Sequence, residues 1–486
     1  MISEFETHEL LGVGIGPFNL SLAALLSPAK DIDAKFFDGR PSFVWHAGQL
    51  MPDAEIQVSY LKDLVSLVDP TNPYSFLAFL KSQKRLYRFI NSRFNHVLRM
   101  EFSQYFEWVT QQLPNLHFDE NVLDVKFKRC SFVMQTSKRV IRGKHLSLAS
   151  GLSPNVPEAA EAHLGENVYH IKDLLRRKTN FNGKRVVVVG GGQSGAEAIN
   201  FILAHSGNLP ESLSWVSSRD QFSPIDDSVF ANEIFTPGFT SVFHALPAEN
   251  KAAMVQQQTL ASDGVSGSML EQIYRRLYFL ECIEKRGRIV NFLAGHKLLQ
   301  MSAGHGAYQV LLSNEKNAVK TEIGADIVIL ATGFRWQLPA YLDGLMDRIA
   351  LDQNGQFIVN RDYSIEWDGP SEHRIYVQNA ARHSHGVADP NLSLMAWRSA
   401  TIINSIAERT VYDLDGESSA MDWNIIAPPQ QPAPKLAYPA NQVYSMPQCK
   451  QPGLQPCNPQ KRSQELPLIT VHRPLNIEGA RHVSPH

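Results

Sequence analysis

Cysteine is scarce in this chain. Four stand in 486 residues, Cys130 and Cys282 in isolation and Cys449 and Cys457 eight apart in a proline-rich stretch. No Cys-x-x-Cys occurs, which excludes a disulfide framework and a redox dithiol and leaves little on which to build a metal site. An excess of charge of one sign is missing too. The 46 basic and 48 acidic residues leave a net charge of −2, which speaks against nucleic acid or another polyanion as partner. Long apolar runs are also absent. The longest, near Leu20–Leu26 and Ile327–Ala331, fall well short of the roughly 20 residues that a membrane-spanning helix needs. The opening Met-Ile-Ser-Glu-Phe-Glu is acidic where a secretory leader is basic and then apolar, so a cytoplasmic protein is expected.

What is present is a globular composition, 43% hydrophobic and 19% charged, in a chain long enough for two or three domains. Residues 9–38 organise it. An apolar approach leads into Gly12, Gly14 and Gly16, then an apolar helix-forming run from Leu20 to Leu26, then Ala-Lys-Phe-Phe-Asp ending at Asp38. This is the order of a βαβ dinucleotide-binding unit. Gly12 would allow the tight turn, Gly14 would let the backbone approach a pyrophosphate, and the helix N-terminus would face it. Asp38 would accept hydrogen bonds from a ribose. Pro17 replaces the usual third glycine and is tolerated there, because a first-turn N–H has no partner within the helix to lose.

The fingerprint returns. Lys184-Arg-Val-Val-Val-Val reads as a buried parallel strand, and Gly190, Gly192 and Gly195, with Gln193 and Ser194 between them, complete a G-x-G-x-x-G before a helix. The next strand, Leu213-Ser-Trp-Val, ends in Ser217-Ser218-Arg219 with no acid. Hydroxyls and an arginine there suit a ribose 2′-phosphate, so the second unit should prefer NADPH to NADH.

The stretch from 85 to 114 carries Arg99, Glu101, Tyr105 and Trp108 at helical spacing and reads as core packing. Val122–Phe127 and Arg139–Leu148 read as strands, Asp326-Ile-Val-Ile-Leu-Ala-Thr-Gly-Phe as a buried strand entering a turn, and the segment up to about Ile406 as an apolar helix. Beyond Ile426 the composition changes. Of the 28 prolines, 12 lie in the last 60 residues, and a disordered tail is expected there.

Two dinucleotide units, only the first with a ribose acid, suit FAD held in the first and a nicotinamide cofactor exchanged in the second, with hydride passing from NADPH to flavin. The expected fold is α/β with two Rossmann-like domains. An FAD domain would comprise 1–164 and 331–426, an inserted NADPH domain 165–330, a small substrate region the place where they meet, and the Pro-rich tail 427–486. Without a cysteine pair a disulfide reductase is excluded, and reaction of reduced flavin with oxygen becomes the leading chemistry.

Gly12-Val-Gly-Ile-Gly-Pro-Phe-Asn-Leu, Phe43-Val-Trp-His-Ala-Gly, Ile56-Gln-Val-Ser-Tyr-Leu-Lys-Asp-Leu, Asp69-Pro-Thr-Asn-Pro-Tyr-Ser-Phe, Phe230-Ala-Asn-Glu, Leu330-Ala-Thr-Gly-Phe and Leu392-Ser-Leu-Met-Ala-Trp-Arg-Ser occur in this order. Over about residues 8–412 the chain resembles the N-hydroxylating flavin monooxygenases of siderophore biosynthesis, most of all those acting on L-lysine. The resemblance implies that NADPH reduces FAD, oxygen adds to give a C4a-hydroperoxide, and an uncharged primary amine attacks it to become a hydroxylamine for a hydroxamate siderophore. It also implies that NADP⁺ stays bound to shield that species from water, and that no dedicated catalytic acid or base is required. Trp45, His46 and Met51 would line the flavin, Gln57 would stand beside its ring, and Thr332 and Gly333 would contact cofactor. Lys62, Asn232 and Ser393 would bind the amino-acid end of the substrate. Members of the family are often homotetramers.

Lys62 decides the expected substrate. An ammonium there neutralises the carboxylate of L-lysine or L-ornithine and repels the second cation of putrescine or cadaverine. L-Lysine is expected first, a diamine second and L-ornithine third. Two rivals are weighed against this. A sulfide or ketone monooxygenase would carry Phe-x-Gly-x-x-x-His between the nucleotide units, and none is found. A sensor or scaffold that merely kept its cofactor sites would not need intact glycines in both fingerprints.

Overall fold

The computed structural model describes residues 7–204, 209–304, 306–314, 316–416 and 419–423. The Pro-rich tail, with Cys449 and Cys457, lies outside them. Strands follow in chain order as β1 (Thr7–Val13), β2 (Ala34–Phe37), β3 (Leu116–His117), β4 (Val122–Phe127), β5 (Phe132–Thr136), β6 (Val140–Leu148), β7 (Ser153–Pro154) and β8 (Val168–His170). Then come β9 (Arg185–Val189), β10 (Ser212–Ser217), β11 (Val290–Ala294), β12 (His296–Gly304), β13 (Ala307–Asn314) and β14 (Lys320–Ala325). The last are β15 (Ile327–Leu330), β16 (Phe334–Arg335) and β17 (Ile375–Val377). The helices that position the site are α1 (Pro17–Leu25), α2 (Arg99–Thr110), α3 (Gln193–Ala204) and α4 (Met395–Ala407).

The first sheet has seven strands in the order β3-β2-β1-β6-β5-β4, with β17 also paired to β6. β1, β2, β3, β6 and β17 run parallel, while β4 and β5 add an antiparallel flap. β1 and β17 are about 360 residues apart, so this sheet closes only when the chain returns from its far end. Every residue of α1 is buried, which explains why its apolar residues are not confined to one stripe, and its two polar residues are bonded, Asn19 donating to the Gly14 carbonyl at 2.8 Å and Ser21 to the Leu64 carbonyl at 2.6 Å.

The second sheet, β11-β10-β9-β15-β8, is parallel throughout. Its β-branched strands are buried on both faces, as parallel strands between covering layers require. Alternation along β9 and β15 sorts the side chains. Val186, Val188, Ile327 and Ile329 pack with Ala196, Ile199 and Leu203 of α3, while Val187, Val189, Val328 and Leu330 pack with Leu298, Val310 and Leu312 of the β12–β14 meander. The two chain segments linking the sheets pair with each other as β7 and β16. Residues 231–246 do not join the second sheet. Ile234, Phe235, Phe239 and Phe243 pack instead against Val387, Ala388 and Leu394, just before α4.

Tyr74–Leu80 reads in sequence as an apolar run after a break, and it folds as a helix at Phe76–Ser82, with the Ser75 side chain accepting from Ala78 N–H as its cap. Among the described residues no helix is long and apolar enough to cross a membrane, and no cluster of His, Cys, Asp or Glu could hold a metal ion.

Candidate functional site

Both fingerprints open onto clefts. The first, about 670 Å³, is lined by Gly14, Gly16, Pro17, Asp38, Trp45 and His46 among others. Gly14 adopts φ +86°, and a Cβ on it would stand 2.4 Å from the Ala149 carbonyl oxygen, so no other residue fits this turn. Gly12 lies one step back and does not line the cleft. Its missing side chain leaves room for the Phe36 ring, which a Cβ would approach to 2.1 Å.

Asp38, at the end of β2, is buried and fully engaged. Its carboxylate accepts from Ile15 N–H at 2.8 Å and from Arg40 through Nε at 2.8 Å, Nη2 at 2.6 Å and the backbone N–H at 2.9 Å. Burial alone would raise its pKa, but the bonds from Arg40 and Ile15 prevail and hold it below the usual carboxylate range. Arg40 also lines the cleft, and sequence reasoning passed over it although it stands two residues beyond the acid.

Trp45 and His46 meet at 4.9 Å between ring centroids, and His46 sits in the left-handed region at φ +50°. Protein packed around the imidazole, and then the Arg99 guanidinium, press its pKa below the ordinary value. His46 is nonetheless open to the cleft it lines. Met51 is elsewhere. It is buried in the hydrophobic cluster that includes Tyr169 and Ile171, and it lines none of the three cavities described here. The apolar thioether is used as core filler rather than as a cleft wall.

The second cleft, about 640 Å³, is lined by Gly190, Gly192, Gln193, Ser194, Ser217, Arg219, Thr332 and Gly333 together with His296 and Lys297. Gly190 has φ +134°, and a Cβ there would fall 2.0 Å from the Ala331 carbonyl oxygen. Gly195 faces inward, where a Cβ would collide with the Gly190 oxygen at 2.0 Å and so part the helix from its strand. The Ser217 hydroxyl accepts from Arg219 N–H at 3.1 Å, and Arg219 Nη1 donates to the Asp263 carbonyl at 2.7 Å. His296 and Lys297 add cationic capacity from the start of β12, some 80 residues past Ser217, a distance that hid them from the motif.

A third cavity of about 250 Å³ lies against residues of both clefts. Trp45, His46, Gln57, Arg99, Gln193, Ser194, Asn391 and Leu392 form it, and Phe334 lines all three cavities. Gln57 Nε2 donates to the Gly264 carbonyl at 3.3 Å and reaches the Gln193 side-chain oxygen at 3.4 Å. Arg99, read in sequence as part of a packing stripe, does not join the packing, nor does Glu101, which pairs with Arg85 at 3.1 Å. Phe102, Tyr105 and Phe106 are core, while Arg99 turns into this cavity.

Lys62 lies half-buried at the adjoining surface. Its Nζ donates to Ser393 Oγ at 3.0 Å, and Ser393 in turn donates to Asn391 Oδ1 at 2.7 Å. The ammonium also stands 5.6 Å from the Phe235 ring centroid. Among the described residues no carboxylate pairs with it. Burial lowers its pKa. The loop that presents it is fixed by Asp63, whose buried carboxylate accepts from Val65, Ser66 and Phe76 N–H groups at 2.7–2.9 Å. Asn232 is on the turn just before Phe235 but is exposed, and its amide donates to the Asp227 and Ser228 carbonyls at 2.9 and 3.2 Å. The structure therefore brings Lys62 and Ser393 together, while Asn232 is engaged with its own turn, three residues before the Phe235 that faces the ammonium.

The model for L-lysine 6-monooxygenase/L-ornithine 5-monooxygenase matches residues 6–336. The chain is 38% identical to the L-lysine N6-monooxygenase of Escherichia coli over 421 residues, 86% of this chain and 99% of that one. Its fold is similar to that of a cadaverine monooxygenase of the desferrioxamine pathway from Erwinia amylovora, solved with FAD, at a TM-score of 0.82, 28% identity and coverage of 88% of this chain and 100% of that chain. It is also similar to an ornithine N-hydroxylase from Kutzneria sp. 744, solved with reduced FAD, NADP⁺ and L-ornithine, at a TM-score of 0.77, 28% identity and coverage of 83% and 99%.

Proposed function

The chain belongs to the L-lysine 6-monooxygenase/L-ornithine 5-monooxygenase family of flavin-dependent N-monooxygenases, and within it we propose that it hydroxylates the side-chain amine of L-lysine for a hydroxamate siderophore. The observation that carries this reading is the half-buried Lys62 ammonium, bonded to Ser393 and without a carboxylate partner among the described residues. An ammonium so placed is stabilised by an incoming carboxylate. A diamine would instead bring a second cation toward it.

The residues fit both cofactors. FAD belongs in the first cleft, within a domain of 1–164 and 331–426. The Gly14 turn leaves its backbone bare there, and Gly16 has no atom within 4 Å of where a Cβ would stand, so a pyrophosphate can approach the N-terminus of α1. NADPH belongs in the second cleft, within 165–330, with Gly190 and Gly192 at the phosphates and Ser217 and Arg219 toward the 2′-phosphate. When bound, FAD supplies the redox chemistry, carrying electrons from NADPH to molecular oxygen. The protein does the rest. Lys62 and Ser393 anchor the carboxylate of the amino acid and leave the other end of the substrate to reach the flavin. Trp45, Phe334 and Leu392 exclude water from the cavity between the clefts, which favours the uncharged amine that can react. Gln57 orients groups where the two cofactors meet. The same reading carries a cytoplasmic location and a homotetrameric assembly.

The test is hydroxylamine formation by the purified protein with NADPH and a panel of L-lysine, L-ornithine, cadaverine and putrescine. L-Lysine is expected to be turned over best. Equal turnover of cadaverine and L-lysine would overturn the choice of substrate, and NADPH oxidation giving only peroxide with every amine would overturn the hydroxylase itself.

A further inference from the structure

Arg99 and Glu197 join the two halves of the site. Arg99, at the start of α2, donates through Nη2 to Glu197 Oε1 at 2.6 Å and through Nη1 to Oε2 at 2.9 Å, and Glu197 is 1% exposed. The same guanidinium donates to the Gln49 carbonyl at 3.0 Å and the Glu55 carbonyl at 3.3 Å. It thus ties one wall of the flavin-side cavities to the second fingerprint helix. Two further bonds reach that helix from the same wall, from Gln49 Nε2 to Ser194 Oγ at 3.1 Å and from Gln57 Nε2 to Gln193 Oε1 at 3.4 Å. All three acceptors lie within residues 193–197. The first two of these positions also line the nicotinamide cleft. One stretch of α3 therefore serves two masters, the dinucleotide at its N-terminus and the flavin-side wall along its flank.

Charge sharpens this. A buried carboxylate near the N-terminus of α3 would repel the pyrophosphate that the helix end is built to receive. Arg99 neutralises it in bidentate geometry, so the ion pair removes a repulsion and adds a mechanical link. The ornithine N-hydroxylase solved with both NADP⁺ and amino acid shows that in that protein the oxidised nicotinamide cofactor and the substrate are held together.

We propose that the Arg99–Glu197 pair is a clasp that holds the nicotinamide-binding sheet against the flavin cleft, so that NADP⁺ is retained while the amine is hydroxylated. Arg99 and Glu197 are positioning residues in this role. The proposal rests on FAD and NADPH occupying the clefts assigned above. Without the clasp, NADP⁺ leaves early, and the O₂ that should be divided between the hydroxylamine and water is released whole as hydrogen peroxide, one H₂O₂ formed per NADPH and proton consumed.

The experiment uses the full-length, FAD-loaded protein and the variants Glu197→Gln, Arg99→Gln and Arg99→Lys. Three quantities are read: FAD retention by fluorescence, the NADP⁺ dissociation constant by calorimetry without substrate, and peroxide formed per NADPH oxidised with L-lysine present. Glu197→Gln and Arg99→Gln should keep FAD, weaken NADP⁺ by about fivefold or more and raise the peroxide fraction, as expected when a coupling contact is removed. Arg99→Lys, which keeps the charge but loses the fork, should fall between them and the parent. If Glu197→Gln does not fold, Arg99→Gln carries the test with Arg99→Lys as its graded companion. NADP⁺ affinity within about twofold of the parent in FAD-loaded Glu197→Gln or Arg99→Gln overturns the clasp, since a coupling contact is worth more than that. So does a loss of NADP⁺ binding that leaves the peroxide fraction unchanged. A parent protein that binds neither FAD nor NADP⁺ would instead contradict the functional reading.

Discussion

Lys62 and Ser393 stand 331 positions apart in the chain, yet the ammonium of one donates to the hydroxyl of the other at 3.0 Å. The contact exists because the first sheet is completed by chain returning from beyond the inserted second sheet, which sets the loop before α4 beside the loop after Gln57. The pair borders the third cavity through Asn391, which accepts from Ser393 Oγ at 2.7 Å and lines that cavity.

Gly190→Ala should damage one cofactor site and spare the other. The new methyl would fall 2.0 Å from the Ala331 oxygen at φ +134°, a strain on the order of 1–3 kcal/mol before any cofactor contact is lost. The variant should retain FAD while its NADPH KM rises by about tenfold or more, corresponding to roughly 1.4 kcal/mol. Equal loss of FAD and NADPH would show that the two clefts are not separate.

Arg219→Ala should narrow the preference between the two nicotinamide cofactors. If Arg219 faces the 2′-phosphate, the variant loses a charge-assisted bond worth about 1.5–3 kcal/mol, so the NADPH KM should rise by at least about tenfold. NADH kinetics should stay near the parent value, and a parallel loss with both cofactors would contradict the assignment.

Asp38 gives a pH signature. Its folded pKa is held below the unfolded value of about 3.9. It therefore contributes stability that is present above that value and is lost as pH falls through the folded pKa. Thermal melts of the cofactor-free protein should lose stability more steeply below about pH 4 in the parent than in Asp38→Asn, and the variant should start less stable at neutral pH because Arg40 loses its carboxylate partner. Parallel melting curves would show that the Arg40 pair contributes nothing.

The fingerprints were legible because glycine positions carry their reason locally, in a turn, a positive φ or a close approach. Gly14, Gly190 and Gly195 each prove to be places where a Cβ would strike backbone. Lys62 and Ser393 were legible as members of motifs, but their contact was not, since periodicity cannot show which loops a returning chain brings together. The same blindness explains Arg99. A helical stripe of Arg, Phe and Tyr looks like packing, and its aromatic members are packing; only the fold reveals that the first residue of the helix faces a buried glutamate on α3. Met51 shows the converse. It stands five residues beyond His46, which lines the first cleft, and is itself buried in the cluster with Tyr169 and Ile171, a difference that sequence proximity does not carry. Asp38 was placed correctly at the end of β2, but its saturation by Arg40 depends on side-chain geometry that spacing does not specify.

The most direct test of the account compares kcat/KM for L-lysine and cadaverine in the parent protein and in Lys62→Ala. Loss of a charge-assisted contact to the substrate carboxylate, about 2 kcal/mol, should lower kcat/KM for L-lysine by roughly 30-fold and leave cadaverine unchanged or improved. A variant that keeps its preference for L-lysine, or that loses both substrates alike, would contradict the claim that Lys62 selects an amino acid by its carboxylate.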